Sequence, residues 1–260
     1  MQINSRALTG KRILVTRPVQ QAEALCDLIR RSGGNPVMFP VIEIEPLSAG
    51  PTAREQLAAA ALVIFVSRNA VQQFCLQFPK SITTIAAVPV FAMGDGTRDS
   101  LQRNGIDQVL CADTGIGSEA LLALPQLDQA AVQGKSVLII KGEGGRELLQ
   151  QTLQQRGADT SCLELYRRKL PETNPARFTT IWHQNRPDVM IFTSAEGIDN
   201  FSSMIPSDEL PGLLTTPVLV WGERVAAAAQ ATGFNRVSYA QAADDYALLQ
   251  ALYKLYEAEH

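Results

Sequence analysis

The chain repeats itself. GKRILVTR at 10–17 matches GKSVLIIK at 134–141, an offset of 124. At that offset Glu23 pairs with Glu147, Leu25 with Leu149 and Gly33 with Gly157. FVSRNAVQQF at 65–74 matches FTSAEGIDNF at 192–201, an offset of 127. VFAMGDGTRDSLQRNGIDQV at 90–109 matches VLVWGERVAAAAQATGFNRV at 218–237, an offset of 128, and GSEALL at 117–122 lies over DDYALL at 244–249, again at 127. Each match is weak alone. Four blocks in one order at nearly one offset define an internal repeat. The 260 residues therefore divide into two related units of roughly 125 residues, an ordinary domain size.

Within the repeat, short apolar runs alternate with helical patterns. Ile13 to Val15 precedes a helix over Gln20 to Arg31, stopped at Gly33-Gly34. Leu62 to Val66 precedes Asn69 to Gln77, and Val88 to Met93 precedes Thr97 to Arg103, closed by Gly105. Val137 to Ile140, Val189 to Phe192 and Val218 to Trp221 continue the series. Strands apolar on both faces, separated by helices, indicate parallel sheets covered by helices. The fold class is α/β: two related, flavodoxin-like parallel-sheet domains. Two segments stand apart, MFPVIEIEPL at 38–47 and CLELYRRKLP at 162–171. The alternation Ile42-Glu43-Ile44-Glu45 is that of an exposed ribbon. Read as interdomain connectors, these segments insert one domain into the other. The expected division is 1–38 with 172–260, then 46–163, with linker strands at 39–45 and 164–171.

Composition excludes several classes. Net charge is −3 and the isoelectric point about 5.5, against the basic excess of a general nucleic-acid binder. Cys26, Cys75, Cys111 and Cys162 are scattered, with no CxxC spacing, which suits a reducing compartment. His183 and His260 are the only histidines, so a multi-histidine metal site is not expected. A serine–histidine triad would have to use His183, which sits in a polar stretch. The first residues carry no apolar signal segment, and the longest apolar run, Leu57 to Val66, is short of the roughly 20 residues of a spanning helix. The expectation is a cytoplasmic protein with no membrane partner.

In open parallel sheets, ligands sit beyond the carboxyl ends of the strands. The residues there are Thr16-Arg17-Pro18, Ser67-Arg68-Asn69, Gly94 to Thr97, Lys141 to Arg146, Thr193-Ser194 and Gly222-Glu223-Arg224. Hydroxyls and glycines permit close backbone approach, helix N-termini offer free N–H groups, and Arg17, Arg68, Lys141, Arg146 and Arg224 add charge. Taken singly, such residues are N-caps and turns. Six loops together favour an anion site. Nucleotide fingerprints are missing: Gly142-x-Gly144-Gly145 lacks the GxGxxG spacing, and there is no GxxxxGK[ST] loop. Asp244-Asp245 reads as a helix cap, Glu43 and Glu45 as solvated carboxylates, and Met38, Met93, Met190 and Met204 as core filler.

These residues carry a resemblance. Thr16-Arg17-Pro18, FVSRNAV at 65–71, Met93-Gly94-x-x-Thr97, Gly117-Ser118-Glu119-x-Leu121-Leu122, KGEGGREL at 141–148, Glu164-x-Tyr166-Arg167-Arg168, DVMIFTSAEGI at 188–198 and Trp221-Gly222 stand in order along the chain. In that order and spacing the sequence resembles the uroporphyrinogen-III synthase family, essentially end to end. Val66 and Lys141 depart mildly, where the family commonly has threonine and arginine. The resemblance implies two α/β domains, one inserted in the other through a two-stranded linker. It implies a cyclising hydro-lyase that closes hydroxymethylbilane, with loss of water and inversion of ring D, to uroporphyrinogen III of haem biosynthesis. No metal or organic cofactor is implied. The polycarboxylate substrate would be held across an interdomain cleft by Thr16, Arg17, Ser67, Asn69, Thr97, Lys141, Arg146, Thr193, Ser194, Gly222, Glu223 and Arg224. Two slim connectors would let that cleft close. Departure of hydroxide needs a proton donor. No histidine is well placed, and Tyr166 on the second connector is the expected catalytic residue. Its other reading is linker packing. A transient contact with the enzyme supplying the bilane is a further expectation. Two other functions fit less of the sequence: a two-lobed binding protein for an anionic metabolite, and a nucleotide-dependent α/β transferase.

Overall fold

A computed structural model describes residues 6–113, 115, 117–145, 147–172, 178–184 and 186–257. In chain order the strands are β1 (Arg12–Val15), β2 (Asn35–Met38), β3 (Glu43–Pro46), β4 (Leu62–Phe65), β5 (Val90–Ala92), β6 (Val109–Leu110), β7 (Ser136–Gly142), β8 (Asp159–Lys169), β9 (Val189–Phe192), β10 (Val218–Trp221) and β11 (Val237–Ala240). Helices join most of them. β4 (LVIF) and β9 (VMIF) are buried along their whole length, because helices cover both faces of each sheet. The chain divides into two compact units, 1–43 with 169–260, and 44–168.

The first unit holds a five-stranded sheet in the order β11-β10-β9-β1-β2, every pair parallel. The second holds β3-β8-β7-β4-β5-β6, parallel from β8 to β6. The repeat explains the likeness. It equates β7 with β1, β8 with β2, and β4, β5 and β6 with β9, β10 and β11. Under that equation the two sheets have the same spatial order, β2-β1-β9-β10-β11. The chain enters the shared pattern at a different strand in each unit. Details repeat as well: Gly33 and Gly157, equivalent at offset 124, have φ of 83° and 84° after their helices. Only glycine adopts that left-handed turn without a Cβ penalty.

Amphipathic spacing builds the cores. In the Val19–Arg31 helix, Ala22, Leu25, Cys26 and Ile29 recur every three to four residues and are buried. They pack with Ile13, Val15, Leu219 and, from the Asp245–Glu257 helix, Leu248 and Leu252. The opposite face is aromatic: Phe192 meets Phe201 at 5.2 Å and Phe234 at 6.0 Å between ring centroids. In the second unit, Phe65, Phe74, Leu138, Leu163, Leu165 and Tyr166 form one core, and Ile64, Phe91, Ile139 and Leu153 lie in the other.

The two connector segments pair. Glu43 meets Lys169 at 3.4 Å, Glu45 meets Arg167 at 3.2 Å, and Leu47 N–H donates to the Leu165 carbonyl. The numbers rise on one strand as they fall on the other, so β3 and β8 are antiparallel. The exposed-ribbon expectation suits Glu43 and Glu45. The second connector is more buried: on β8, Leu163, Leu165 and Tyr166 are buried. The reason is topological: β8 lies between β3 and β7 and serves as an interior strand of the sheet. Its register with β7 slips at one bulge, where Lys141 faces Glu164 but Gly142 faces Tyr166. Among the described residues, no helix is long and apolar enough to cross a membrane.

Candidate active site

Each sheet has a point where successive strands are laid down in opposite directions. In the first unit it lies between β1 and β9, and in the second between β7 and β4. Connections leave such neighbours toward opposite faces, which opens a crevice at their carboxyl ends. Thr16-Arg17 and Thr193-Ser194 follow β1 and β9. Lys141 lies near the end of β7, and Ser67 follows β4 within two residues. The sequence-predicted residues thus fall into two groups, one per unit, at equivalent positions of the repeat.

In the second unit Ser67 has extended backbone, and its Oγ accepts the Ala70 N–H at 3.1 Å, capping the Arg68–Gln77 helix. The same oxygen lies 2.8 Å from the Tyr166 hydroxyl. Tyr166 is 2% exposed and packs in the core. Asn69 is buried on the first turn of the capped helix, and Thr97 is buried on the first turn of the Asp95–Arg103 helix. Lys141 is half-buried, its Nζ 3.8 Å from Glu164. Arg146 lies outside the described residues.

In the first unit Ser194 repeats the cap: its Oγ accepts the Gly197 N–H at 3.0 Å. Thr193 precedes it, half-buried. Thr16 is buried and donates its hydroxyl to the Ile191 carbonyl at 2.7 Å, tying β1 to β9. Arg17 differs most from the expected open cation. Its side chain is 1% exposed, ion-paired with Asp245 and stacked at 4.2 Å on the Trp221 ring. Gly222 begins the Gly222–Thr232 helix with φ of 67°, followed by exposed Glu223 and Arg224. Glu223 accepts a hydrogen bond from the Tyr239 hydroxyl at 3.1 Å, and that bond pushes the Tyr239 phenol above its usual range.

The comparisons with known proteins bear on what this arrangement is. The family model described as uroporphyrinogen-III synthase HemD matches residues 23–250. The chain belongs to that family. A uroporphyrinogen-III synthase of Salmonella typhimurium is 36% identical over 246 residues, covering 92% of this chain and 99% of the relative. That of Escherichia coli is 34% identical over 245 residues, with the same two coverages. Among solved structures, a mutant uroporphyrinogen III synthase of Thermus thermophilus aligns with a TM-score of 0.60 at 20% identity, covering 96% of this chain and 100% of its own. One of Helicobacter pylori aligns with a TM-score of 0.60 at 18% identity, covering 94% and 99%. At those identities the structural likeness speaks for the fold.

For a member of the uroporphyrinogen-III synthase family, the charges at these strand ends are notably compensated. Asp245 neutralises Arg17, Glu164 stands by Lys141, and Arg167 contacts both Glu45 and Glu143. Anion binding here would lean on backbone N–H groups as much as on side-chain charge. Two residues gained roles that sequence reasoning did not assign. Asp244 is the cap, accepting the Ala247 N–H at 2.8 Å, whereas Asp245 is the partner of Arg17. Trp221 is the surface on which Arg17 lies. The aspartate pair was visible in the sequence, but its division of labour spans 228 positions.

The Ser67–Tyr166 pair is the clearest proton-handling arrangement. A serine hydroxyl has one donor and two acceptor sites. Ser67 already accepts from Ala70. If Tyr166 donates to it, both acceptor sites are filled and the serine proton is left to point elsewhere. Among the described residues, no group of three or more His, Cys, Asp and Glu side chains is gathered to hold a metal ion.

Proposed function

We propose that this chain is a uroporphyrinogen-III synthase, an enzyme that converts the small-molecule substrate hydroxymethylbilane to uroporphyrinogen III in tetrapyrrole and haem biosynthesis. The observation that carries the reading is the end-to-end match: synthases align with 92% of this chain and 99% of their own length. In the reaction the terminal hydroxyl leaves as water and the freed methylene bonds to the substituted carbon of ring D. The older bond from that carbon to its bridge then breaks and re-forms at the free α-carbon of the ring, which inverts the ring and leaves that carbon with the proton to be lost. Tyr166 supplies the proton, passed through Ser67. The hydroxyl departs protonated, the phenol becomes phenolate, and the proton lost as the new ring regains aromaticity restores it. Support comes from the 2.8 Å contact and from the position of Ser67 at a strand end beside the switch point. Holding the flexible bilane in the reactive geometry supplies much of the rate.

Substrate carboxylates are assigned to Lys141, Arg224 and the helix N-termini beginning after Ser67, Gly94, Ser194 and Trp221. A cytoplasmic setting belongs to the same proposal, in keeping with four free cysteine thiols. So does a transient contact with the enzyme that supplies the bilane, since that substrate closes on its own in water. The test is a coupled assay with bilane generated in situ and the oxidised porphyrins separated by isomer. A shift from isomer I to isomer III is expected. Isomer I alone, from folded protein, would leave a non-catalytic binding protein for an anionic metabolite.

A further inference from the structure

The repeat provides an internal comparison. Ser67 and Ser194 are equivalent, and both cap helices. Among the described residues a phenol meets the first alone: the Tyr166 hydroxyl lies 2.8 Å from Ser67 Oγ, whereas at the second cap a Cβ on Gly197 would stand 3.2 Å from Ser194 Oγ and 3.6 Å from Cγ2 of Val41. The fold therefore forms this turn without a tyrosine, and Tyr166 is an addition peculiar to the second unit. The equivalent of Lys141 is Arg17, and that of Gly142 is Pro18. In the first unit β1 ends at Val15 and Pro18 caps the next helix. In the second, β7 runs on to Gly142.

Three features seat the phenol. First, the bulge lets Gly142 face Tyr166 directly after Lys141 faces Glu164. Strict alternation along β8 would put Tyr166 on the face of exposed Glu164. The extra residue turns it to the face of Leu163 and Leu165, as bulges beside functional sites do. Second, the Glu143 N–H donates to the Tyr166 carbonyl at 2.7 Å and holds the strand there. Third, Gly142 leaves the space. A Cβ on it would stand 2.7 Å from both Cε2 and Cζ of Tyr166 and 3.1 Å from the hydroxyl oxygen. Gly142 is not among the glycines with positive φ, so room, not backbone conformation, demands glycine. The ring is 2% exposed among packed neighbours and has nowhere to retreat.

We infer that Gly142 is a positioning residue for the reaction: its missing side chain, beside the bulge, lets the Tyr166 ring lie across β7 with its hydroxyl on Ser67. This rests on Tyr166 being the proton source. The test compares kcat, KM and melting temperature for the full chain, Gly142→Ala, Tyr166→Phe, Tyr166→Leu and Gly142→Ala/Tyr166→Leu. Gly142→Ala should lower kcat by about tenfold or more while leaving KM within about twofold. In the Tyr166→Leu background, where the ring atoms that clash are gone, the same change should alter kcat by less than about twofold. Equal losses in both backgrounds would overturn the inference, because Gly142 would then act otherwise than through the ring. A slow Tyr166→Phe with a fast Gly142→Ala would overturn the role of Gly142 alone. A Tyr166→Phe with unchanged kcat would remove the proton source and this inference with it. Should Gly142→Ala fail to fold, a folded double variant supports the steric account and an unfolded one overturns it.

Discussion

At the residue scale, burial separates side chains that looked alike in the sequence. Arg17 and Lys141 occupy equivalent places in the repeat. Yet the Arg17 side chain is 1% exposed and neutralised, whereas that of Lys141 is 14% exposed with its partner 3.8 Å away. Arg17→Ala strips Asp245 of its counter-charge and Trp221 of its stacked plane. The expected cost is roughly 2–4 kcal/mol of folding stability, somewhat under a fully buried pair because Asp245 stays partly wet. Chemical denaturation checks it, and an unchanged midpoint would mean that Arg17 relaxes outward. Lys141→Ala should do the reverse: weaker product binding by about 1–3 kcal/mol with stability within about 1 kcal/mol, read by titration beside a melting curve. Tyr166→Phe removes one hydrogen bond and keeps the ring. Turnover should fall while stability drops by only about 1 kcal/mol. An unchanged rate would return Tyr166 to the packing role.

At the element scale, the helices after Ser67 and Ser194 begin on the same device, a serine with extended backbone accepting the N–H three residues on. The Ser194→Ala change should cost about 1 kcal/mol, the usual worth of such a cap. Ser67→Ala should cost more and also slow catalysis, because the lost oxygen served a phenol as well. Parallel melting curves and rates for the two variants would separate capping from chemistry; equal effects on rate would argue against the Tyr166 contact. Helix and strand existence was legible from the sequence because apolar periodicity is local. Val19–Arg31, Arg68–Gln77 and Asp95–Arg103 begin one or two residues earlier than the apolar pattern suggests. In each case the added residues are polar or flanking ones in the first turn, where burial does not yet mark the helix. β8 was less legible, since its charged half hides the sheet strand in Leu163, Leu165 and Tyr166.

At the scale of the whole chain, the second unit runs continuously from 44 to 168 and has its own core. Residues 44–168 expressed alone should fold and unfold cooperatively, as a domain of roughly 125 residues does. Sharp amide signals and a single denaturation transition would show it. A molten product would mean that β3 and the end of β8 need the rest of the chain to hold their register. The fragment should lack cyclase activity, because half of the proposed carboxylate contacts belong to the first unit.

The sequence by itself determined the α/β class, the repeat and the strand ends that carry the proposed site groups. Those features are written in local apolar runs, in turn glycines and in the order of short motifs. Tertiary structure alone decided which of those groups are usable. Arg17 meets Asp245 across 228 positions, and Tyr166 meets Ser67 across 99. Neither partner can be read from spacing, because each pairing exists only once the strands are laid side by side. The bulge at Gly142 is of the same kind. A single slipped residue reverses the facing of a side chain, and no local pattern records which of two strands carries the slip.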